Sequence, residues 1–122
     1  MDAYNTGIVL IDAPTGAGKT RYIKSLGAAH SNTLTSEQLV DELLQMCMNK
    51  TSLINLAAKL QHIHYFENME SLSGKEKTQR LAAQLVQIMA VNKPVILTGI
   101  DFKLKLPFFL EELGAEIEFR SI

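Results

Sequence analysis

Apolar and polar positions along the chain follow two different periods. Short runs of consecutive apolar or β-branched residues predict strands over residues 8–11, 32–35, 61–66, 95–98 and 116–120. Elsewhere, apolar residues recur at helical spacing, which predicts helices over residues 19–29, 36–48, 52–60, 73–90 and 107–113. Strands that alternate with helices are typical of a parallel sheet covered by helices. The pattern therefore predicts an α/β fold.

Capping residues mark the starts of two of these helices. Thr35 and Gln38 have the spacing of a capping box, in which each side chain accepts a hydrogen bond from the backbone N–H of the other residue. Thr51 is the predicted cap of the helix over residues 52–60. The longest helix, over residues 73–90, has a polar face and an apolar stripe that we expect to face the sheet. The stripe consists of Leu81, Leu85, Ile88 and Met89.

The expected fold class is a three-layer α/β/α sandwich with a five-stranded parallel sheet and helices on both faces. We expect the first strand to be central, between the third and fourth strands. Right-handed crossovers bring the carboxyl ends of parallel strands to one edge, where ligands bind in such sheets. Glu67-Asn68 follows the third strand, and Thr98 through Asp101 follows the fourth. We therefore expect both segments to face the residues that follow the first strand.

A glycine-rich segment follows the first strand directly, namely Ala13-Pro14-Thr15-Gly16-Ala17-Gly18-Lys19-Thr20. It matches the phosphate-binding pattern G-x-x-x-x-G-K-[ST], except that Ala13 replaces the first glycine with a methyl group that is small enough to be tolerated. Gly16 and Gly18 allow backbone N–H groups to close around phosphate oxygens. Lys19 reaches the β and γ phosphates, and the Thr20 hydroxyl ligates Mg²⁺. We therefore expect residues 14–20 to bind a nucleotide, ATP or ADP, with Mg²⁺.

Glu67, Asn68 and Thr98 are the candidate catalytic residues at the same edge. Glu67 offers the hard carboxylate oxygen that Mg²⁺ prefers, usually through water, so we expect Glu67 and Thr20 to hold the metal ion. The other interpretation of Glu67 is a solvated charge at the end of a strand.

Composition places the chain among ordinary globular domains, with 122 residues, 47% of them hydrophobic and 20% charged. We expect a single domain over residues 1–122. The 12 Lys and Arg against 13 Asp and Glu give no large positive field that would indicate nucleic acid or an anionic membrane. The single cysteine, Cys47, and the lack of a signal peptide or membrane-spanning apolar run predict a cytoplasmic protein without a membrane partner.

Four segments resemble, in order and spacing, the AAA+ ATPase core of the bacterial replication initiator DnaA. They are Asn5 through Thr20 at its strand and Walker A loop, Thr35 through Val40 at its Ser-Glu-Arg-Phe-Val segment, Tyr65 through Glu70 at its Walker B, and Val95 through Thr98 at its sensor 1 strand. The resemblance covers roughly the whole chain. It implies an AAA+ base-like P-loop NTPase fold, nucleotide binding, and a role in the initiation of DNA replication or its regulation, with a replication protein as partner.

Three departures from the family pattern bear on activity. The resemblance predicts two consecutive acids in Walker B, but the second position is Asn68, whose amide cannot take a proton from water. Glu70 is a carboxylate that could substitute. Glu112 stands where the family carries an arginine finger. The sequence ends at Ile122, before the family's helical lid and DNA-binding domain, so we expect no sequence-specific DNA binding by this chain alone and a monomer or weak oligomer.

The leading functional hypothesis is a nucleotide-binding, DnaA-like AAA+ module with weak or no intrinsic ATP hydrolysis. The alternative is a small active P-loop ATPase or phosphotransferase that uses Glu67 or Glu70. A third hypothesis is a scaffold that keeps the loop but binds no nucleotide. The base preference of the site stays open.

Two other groups of polar residues have mainly structural interpretations. Lys75, Lys77 and Arg80, near the start of the long helix, are interpreted as a solvated face, with contact to single-stranded DNA as the alternative. His62 and His64 are expected on one face of the third strand, and no third residue at zinc-site spacing accompanies them.

Overall fold

The computed structural model describes residues 7–13, 18–114 and 117–121, apart from the side chains of Lys19 and Thr20. Its strands are Ile8–Asp12 (β1), Thr33–Thr35 (β2), Tyr65–Glu67 (β3), Val95–Gly99 (β4) and Glu118–Ser121 (β5). Its α-helices are Lys19–Ser25 (α1), Ser36–Met48 (α2), Leu53–Lys59 (α3), Glu76–Met89 (α4), Phe102–Lys105 (α5) and Pro107–Leu113 (α6). Short 3₁₀ turns, His30–Asn32 and Met69–Leu72, precede β2 and follow β3. None of the helices in these ranges has the length and apolar character needed to cross a membrane.

The five strands form one parallel sheet in the order β2-β3-β4-β1-β5. β1 pairs with β4 along its whole length, from Ile8 beside Val95 to Asp12 beside Gly99, and its other edge pairs with β5. The expected position of the first strand between the third and fourth is therefore wrong, because β4 is central and separates β1 from β3. The chain passes two strand positions between β1 and β2, and local sequence patterns do not encode how many positions a crossover skips.

Helices cover both faces of the sheet, which confirms the predicted three-layer sandwich. Successive residues of a strand point to opposite faces. On one face, Leu10 of β1 and Leu97 of β4 belong to the main core, to which α2, α3, α4 and α6 contribute. On the other face, Ile11 and Tyr65 pack with Ile23 of α1 in a smaller cluster. α1 therefore lies alone, among the described helices, on the second face.

The predicted capping box is present at the start of α2. Oγ1 of Thr35 accepts a hydrogen bond from the N–H of Gln38 at 3.2 Å, and the N–H of Thr35 donates to Oε1 of Gln38 at 2.9 Å. α2 consequently has its predicted bounds. α6 also has its predicted bounds, between Pro107, whose fixed φ suits a first helical residue, and Gly114, whose φ of 76° ends the helix.

β3 is shorter than the sequence predicts, because the backbone before it turns. The N–H of Ile63 closes that turn, and the Lys93 ammonium binds the carbonyl oxygen of Ile63 at 2.6 Å. The strand therefore begins at Tyr65. His62 and His64 precede the strand, so the expected strand face shared by the two histidines is wrong.

Several helix boundaries also differ from the sequence prediction. The cap of α3 is Ser52, whose hydroxyl accepts the N–H of residue 55, and not Thr51. α4 begins at Glu76 rather than at residue 73, since the preceding chain turns at Gly74 with a φ of 79°. α1 ends at Ser25, earlier than expected, and α5 has no counterpart in the sequence prediction.

Arg80 connects α4 to α6. Its guanidinium binds Glu76 on α4 at 3.2 Å, and it binds Glu111 and Glu112 on α6 at 2.7 and 3.2 Å. The same group lies over the Phe108 ring, 5.3 Å from its centre. Arg80 is therefore a link between two helices, and it remains partly exposed beside the exposed Lys75 and Lys77.

Candidate functional site

The carboxyl ends of β1, β3 and β4 meet at one edge of the sheet. Ile11 and Asp12, at the end of β1, pair with Thr98 and Gly99 at the end of β4. The register between β3 and β4 places Glu67 at the level of Thr98. Because paired strands lie about 4.8 Å apart, Glu67 and Thr98 are neighbours, and Thr98 adjoins β1.

Glu67 and Thr98 share the face of the sheet that α1 covers. The residues two positions earlier on the same strands belong to the cluster around Ile23 of α1, and strand residues two apart point to the same face. Thr98 is buried. α1 begins at Lys19, the second-last residue of the glycine-rich segment. The fold thus brings Glu67, Thr98 and the start of α1 to one corner of the molecule.

The centre of the predicted phosphate loop lies outside the described residues, namely Pro14, Thr15, Gly16 and Ala17. Because the side chains of Lys19 and Thr20 are not described either, their roles stay predictions. Both ends of the loop are described. Ala13 is buried and its N–H donates to the carbonyl of Gly99 at 3.2 Å. Gly18 has a φ of 85°, which favours glycine, and its carbonyl accepts the N–H of Tyr22 at 2.9 Å.

Asn68 follows β3 in a left-handed conformation, with a φ of 61° and a ψ of 40°. Asn adopts this conformation more readily than most residues, which gives a backbone reason for an amide here. The carbonyl of Asn68 accepts a hydrogen bond from the buried hydroxyl of Ser36 at 2.7 Å, and that hydroxyl also contacts the hydroxyl of Ser71. The first residue of α2 therefore fixes the backbone that follows Glu67.

Asp12 fixes the other side of the corner, although sequence patterns do not single it out. Its two carboxylate oxygens accept the N–H groups of Asp101 and Phe102, at 2.7 and 3.1 Å. Hydrogen bonds to a carboxylate are stronger than those between neutral groups, so they tie the end of β1 to the start of α5. The available sequence signal is an acidic residue between an apolar strand and a glycine-rich loop.

A cavity of about 400 Å³ opens beside Glu67, between α1 and the start of α2. Its lining includes the apolar residues Ile23 and Ala28. The polar residues of its lining are Lys24, His30, Thr33, Thr35, Gln38 and Glu67. Cavities of this size bind small molecules in many proteins. Sequence patterns do not reveal this cavity, because its walls come from separate elements of the fold.

The comparisons with known proteins identify the fold. The sequence matches no protein-family model and no curated protein. Among solved structures, the chain is similar to AMPPCP-bound DnaA from Aquifex aeolicus, with a TM-score of 0.59 and 18% identity over 95% of this chain. It is also similar to the replication initiator DnaA bound to AMPPCP and single-stranded DNA, with a TM-score of 0.60 and 15% identity over 96% of this chain.

The chain spans about two fifths of those two chains, 40% and 41% of their lengths. At these identities the similarity shows the fold alone. The chain shares the fold of these DnaA structures, a five-stranded parallel sheet with flanking helices, which confirms the predicted fold class.

Proposed function

We propose that the chain is a nucleotide-binding module that takes ATP or ADP with Mg²⁺ and hydrolyses ATP slowly or not at all. One observation carries the proposal: the phosphate-loop sequence joins β1 to α1 at the edge where Glu67 and Thr98 also lie. Ligands of open α/β sheets bind at this edge. If the loop sequence matched the motif by chance, polar residues of neighbouring strands would not be expected at the same edge of the sheet.

In this proposal, the phosphates lie against the segment between β1 and α1. Backbone N–H groups of residues 15–18 surround the phosphate oxygens, and Lys19 binds the β and γ phosphates. The surroundings of the loop are held by hydrogen bonds of Asp12 on one side and of Ser36 on the other. Because these segments are already ordered before the ligand binds, less conformational entropy is lost on binding, which favours affinity.

The residues of this corner fit a Mg²⁺ ion. The described residues include no group of three or more His, Cys, Asp or Glu side chains that could hold a metal ion. Mg²⁺ at a phosphate loop needs fewer protein ligands, since phosphate oxygens and waters complete its shell. Glu67, half-buried at the end of β3, supplies a carboxylate on the face of α1. Glu67 through water and the Thr20 hydroxyl would hold the ion, which would neutralise phosphate charge.

Slow hydrolysis follows from two positions. The amide of Asn68 can orient a water but cannot accept its proton, and base catalysis contributes about 10²- to 10⁴-fold. Glu112, at the position that the DnaA resemblance assigns to an arginine finger, is an acid that binds Arg80 of the same chain at 3.2 Å. An arginine finger contributes about 10³- to 10⁵-fold. We therefore expect turnover far below the roughly 10 s⁻¹ typical of enzymes.

We propose a role in the initiation of DNA replication or its regulation, supported by the DnaA resemblance of the sequence and by the shared fold. Residues 1–122 would act as one module in the cytoplasm, as a monomer or weak oligomer. Its partner would be a replication protein, and the chain alone would bind no specific DNA sequence. A partner that brings an arginine to the nucleotide would raise hydrolysis.

A phosphotransferase is the second candidate, and the cavity beside Glu67 favours it. The cavity is large enough for a small acceptor molecule, at about 400 Å³, and Glu67 forms part of its wall. Lys24 and His30 would bind acidic groups of such an acceptor. In this alternative, Glu67 would accept the proton of the attacking hydroxyl.

Titration with labelled ATP and ADP, followed by a turnover assay over a wide range of protein concentration, separates these functions. A binding module binds both nucleotides and turns over slowly at every concentration, whereas a scaffold binds neither. An ATPase turns over briskly, and a phosphotransferase does so only with its acceptor. Asn68→Asp should raise ATP turnover, and Asn68→Ala is the matched control that should not. Brisk hydrolysis by the wild type that increases with concentration contradicts the proposal.

A further inference from the structure

The cavity beside Glu67 follows β2 from its last residue to its first. Thr35, at the end of β2, pairs with Glu67, and Thr33, at its start, pairs with Tyr65. Both threonines and Glu67 line the cavity, and Gln38 adjoins Thr35 through the capping box. Two strand residues span about 6.6 Å, so the cavity extends at least this far along the sheet. The carboxylate of Glu67 therefore marks one end of an elongated site.

The other end of the cavity is basic. The hydroxyl of Tyr65 donates to the carbonyl of Leu26 at 2.8 Å, so the end of α1 lies beside the start of β3. Lys24 is in the last turn of α1, His30 precedes β2, and both residues line the cavity. An ammonium group and an imidazole thus lie at the end away from the carboxylate of Glu67.

The fold leaves these charged groups available for a ligand. A lysine in the last turn of a helix often binds the final carbonyl groups. In α1, hydrogen bonds from the following turn already satisfy several of these carbonyls, such as the bond from the N–H of Gly27 to the carbonyl of Lys24 at 3.1 Å. Ion pairs between described residues have Lys59, Arg80 and Arg120 as their cations and Glu42, Glu76, Glu111, Glu112 and Glu118 as their anions. Within the described part of the chain, Lys24, His30 and Glu67 therefore form no ion pair.

The lining of the cavity also contains alkyl groups, which come from Ile23, Ala28 and Ala29. A hydrocarbon chain gains free energy when it leaves water for such a surface. Hydrogen bonds between oppositely charged groups are the stronger ones, so the two ends favour a ligand with an ammonium group at one end and a carboxylate at the other. The cavity, at about 400 Å³, has room for such a molecule.

We propose that the cavity binds an aliphatic ω-amino acid, with its ammonium group on Glu67 and its carboxylate on Lys24 and His30. The site uses no residue of the phosphate loop, so this inference goes beyond the proposed nucleotide function and does not rest on it. The hydroxyl of Thr35 and the amide of Gln38 offer further hydrogen bonds beside Glu67.

Titration of the nucleotide-free protein with ε-aminocaproate, followed by NMR spectra of the backbone amides, tests the inference. The amide signals of Thr33, Thr35 and Gln38 should shift. Hexanoate lacks the ammonium group and should bind about tenfold more weakly, since it loses a hydrogen bond between charged groups at the half-buried Glu67. Hexylamine lacks the carboxylate and should bind about threefold more weakly, because Lys24 is exposed and solvent screens its charge. Glycine, with both charges on one carbon, should also bind more weakly than ε-aminocaproate.

Two variants assign the ends of the ligand. Glu67→Gln should lower the affinity for ε-aminocaproate about tenfold without weakening hexanoate. Lys24→Met keeps most of the alkyl chain and should lower the affinities for ε-aminocaproate and hexanoate about threefold, while hexylamine binds as before. Lys77→Met is the matched control, because Lys77 is an exposed lysine of α4, and it should change none of these affinities.

Shifts at the three amides, together with these ligand-specific losses, support the inference. Absence of the shifts, equal binding of ε-aminocaproate and hexanoate, or equal affinities of Lys24→Met and Lys77→Met for ε-aminocaproate overturns it, while the nucleotide proposal stands. Melting curves show whether the variants fold. Because Lys24 is exposed, its variant decides the matter even if Glu67→Gln does not fold.

Discussion

The buried amide of Gln79 joins α4 to α6, and Gln79→Met should destabilise the protein strongly. The side chain is fully buried. Its Oε1 accepts the N–H groups of Phe108 and Phe109, each at 3.1 Å, and its Nε2 donates to the carbonyl of Leu72 at 2.9 Å. The two N–H groups are in the first turn of α6, which begins at Pro107 and has no side-chain cap from its own preceding residue. Gln79 therefore caps α6 from a different helix.

The expected loss follows from the three hydrogen bonds. Methionine resembles glutamine in length and fills irregular apolar space, so Gln79→Met removes the polar contacts with little change in volume. The N–H of Phe109 is buried and the N–H of Phe108 is partly buried, so neither regains full hydration. A typical hydrogen bond contributes about 1 kcal/mol, and a buried unpaired group costs about 1 to 3 kcal/mol. We expect the free energy of unfolding to fall by about 3 kcal/mol, or the melting temperature by about 12 °C.

Urea denaturation followed by circular dichroism measures this free energy. Gln45→Met is the matched control, since Gln45 is exposed on α2 and its side chain makes no hydrogen bond to the described residues. The control should stay within about 0.5 kcal/mol of the wild type. Equal losses in the two variants would refute the reasoning, because the three hydrogen bonds of Gln79 would then contribute nothing measurable.

Two further predictions concern backbone strain and pH. Gly7→Ala should lower the melting temperature more than Gly74→Ala. Both glycines have a positive φ, at 78° and 79°, so the two variants carry similar backbone strain. Only at Gly7 would the added Cβ also lie 2.6 Å from the carbonyl oxygen of Ala90. Burial and then the charge of Lys93 lower the pKa of His64 below its usual 6.5. Unfolding frees His64 to bind a proton, so stability should fall as pH drops through and below about 6.5. His64→Gln should reduce this dependence of stability on pH. Lys93→Met should raise the pKa of His64 in an NMR titration, and an unchanged pKa contradicts the role of the Lys93 charge.

The succession of elements could be predicted from the sequence, because it depends on local patterns. The capping box of Thr35 and Gln38 gives the start of α2, and Pro107 and Gly114 give the bounds of α6. These signals act within a few residues of the backbone that they control. One boundary that the sequence prediction misplaced depends on a distant contact. β3 begins late because Lys93, about 30 residues further along the chain, binds the backbone before it.

The strand order could not be derived from local patterns. The sequence predicts a parallel sheet, but the place of β1 between β4 and β5 depends on a crossover that skips two strand positions. Apolar runs identify buried strands without identifying their neighbours. This error does not change which edge of the sheet carries Glu67 and Thr98. All five strands are parallel, so their carboxyl ends lie on one side of the sheet in any strand order.

The candidate site also combines residues that a local pattern identifies with residues that only the fold brings together. Its motif residues are recognisable because phosphate chemistry requires glycines, a lysine and a hydroxyl at fixed spacing. The residues whose hydrogen bonds fix the backbone around the site are not recognisable in the sequence, since their partners are distant along the chain. Asp12 reaches the start of α5, and Ser36 reaches the carbonyl of Asn68.

Calorimetric titration of Mg²⁺-ATP into the wild type and Lys19→Ala tests the central claim most directly. The wild type should bind one nucleotide per chain, and Lys19→Ala should bind about ten- to a hundred-fold more weakly, because a hydrogen bond to a charged group contributes about 1.5 to 3 kcal/mol. Lys77→Ala is the matched control, since Lys77 is an exposed lysine of α4, and it should bind as the wild type does. No heat of binding with the wild type, or equal affinities for the wild type and Lys19→Ala, would contradict the claim that this loop binds a nucleotide.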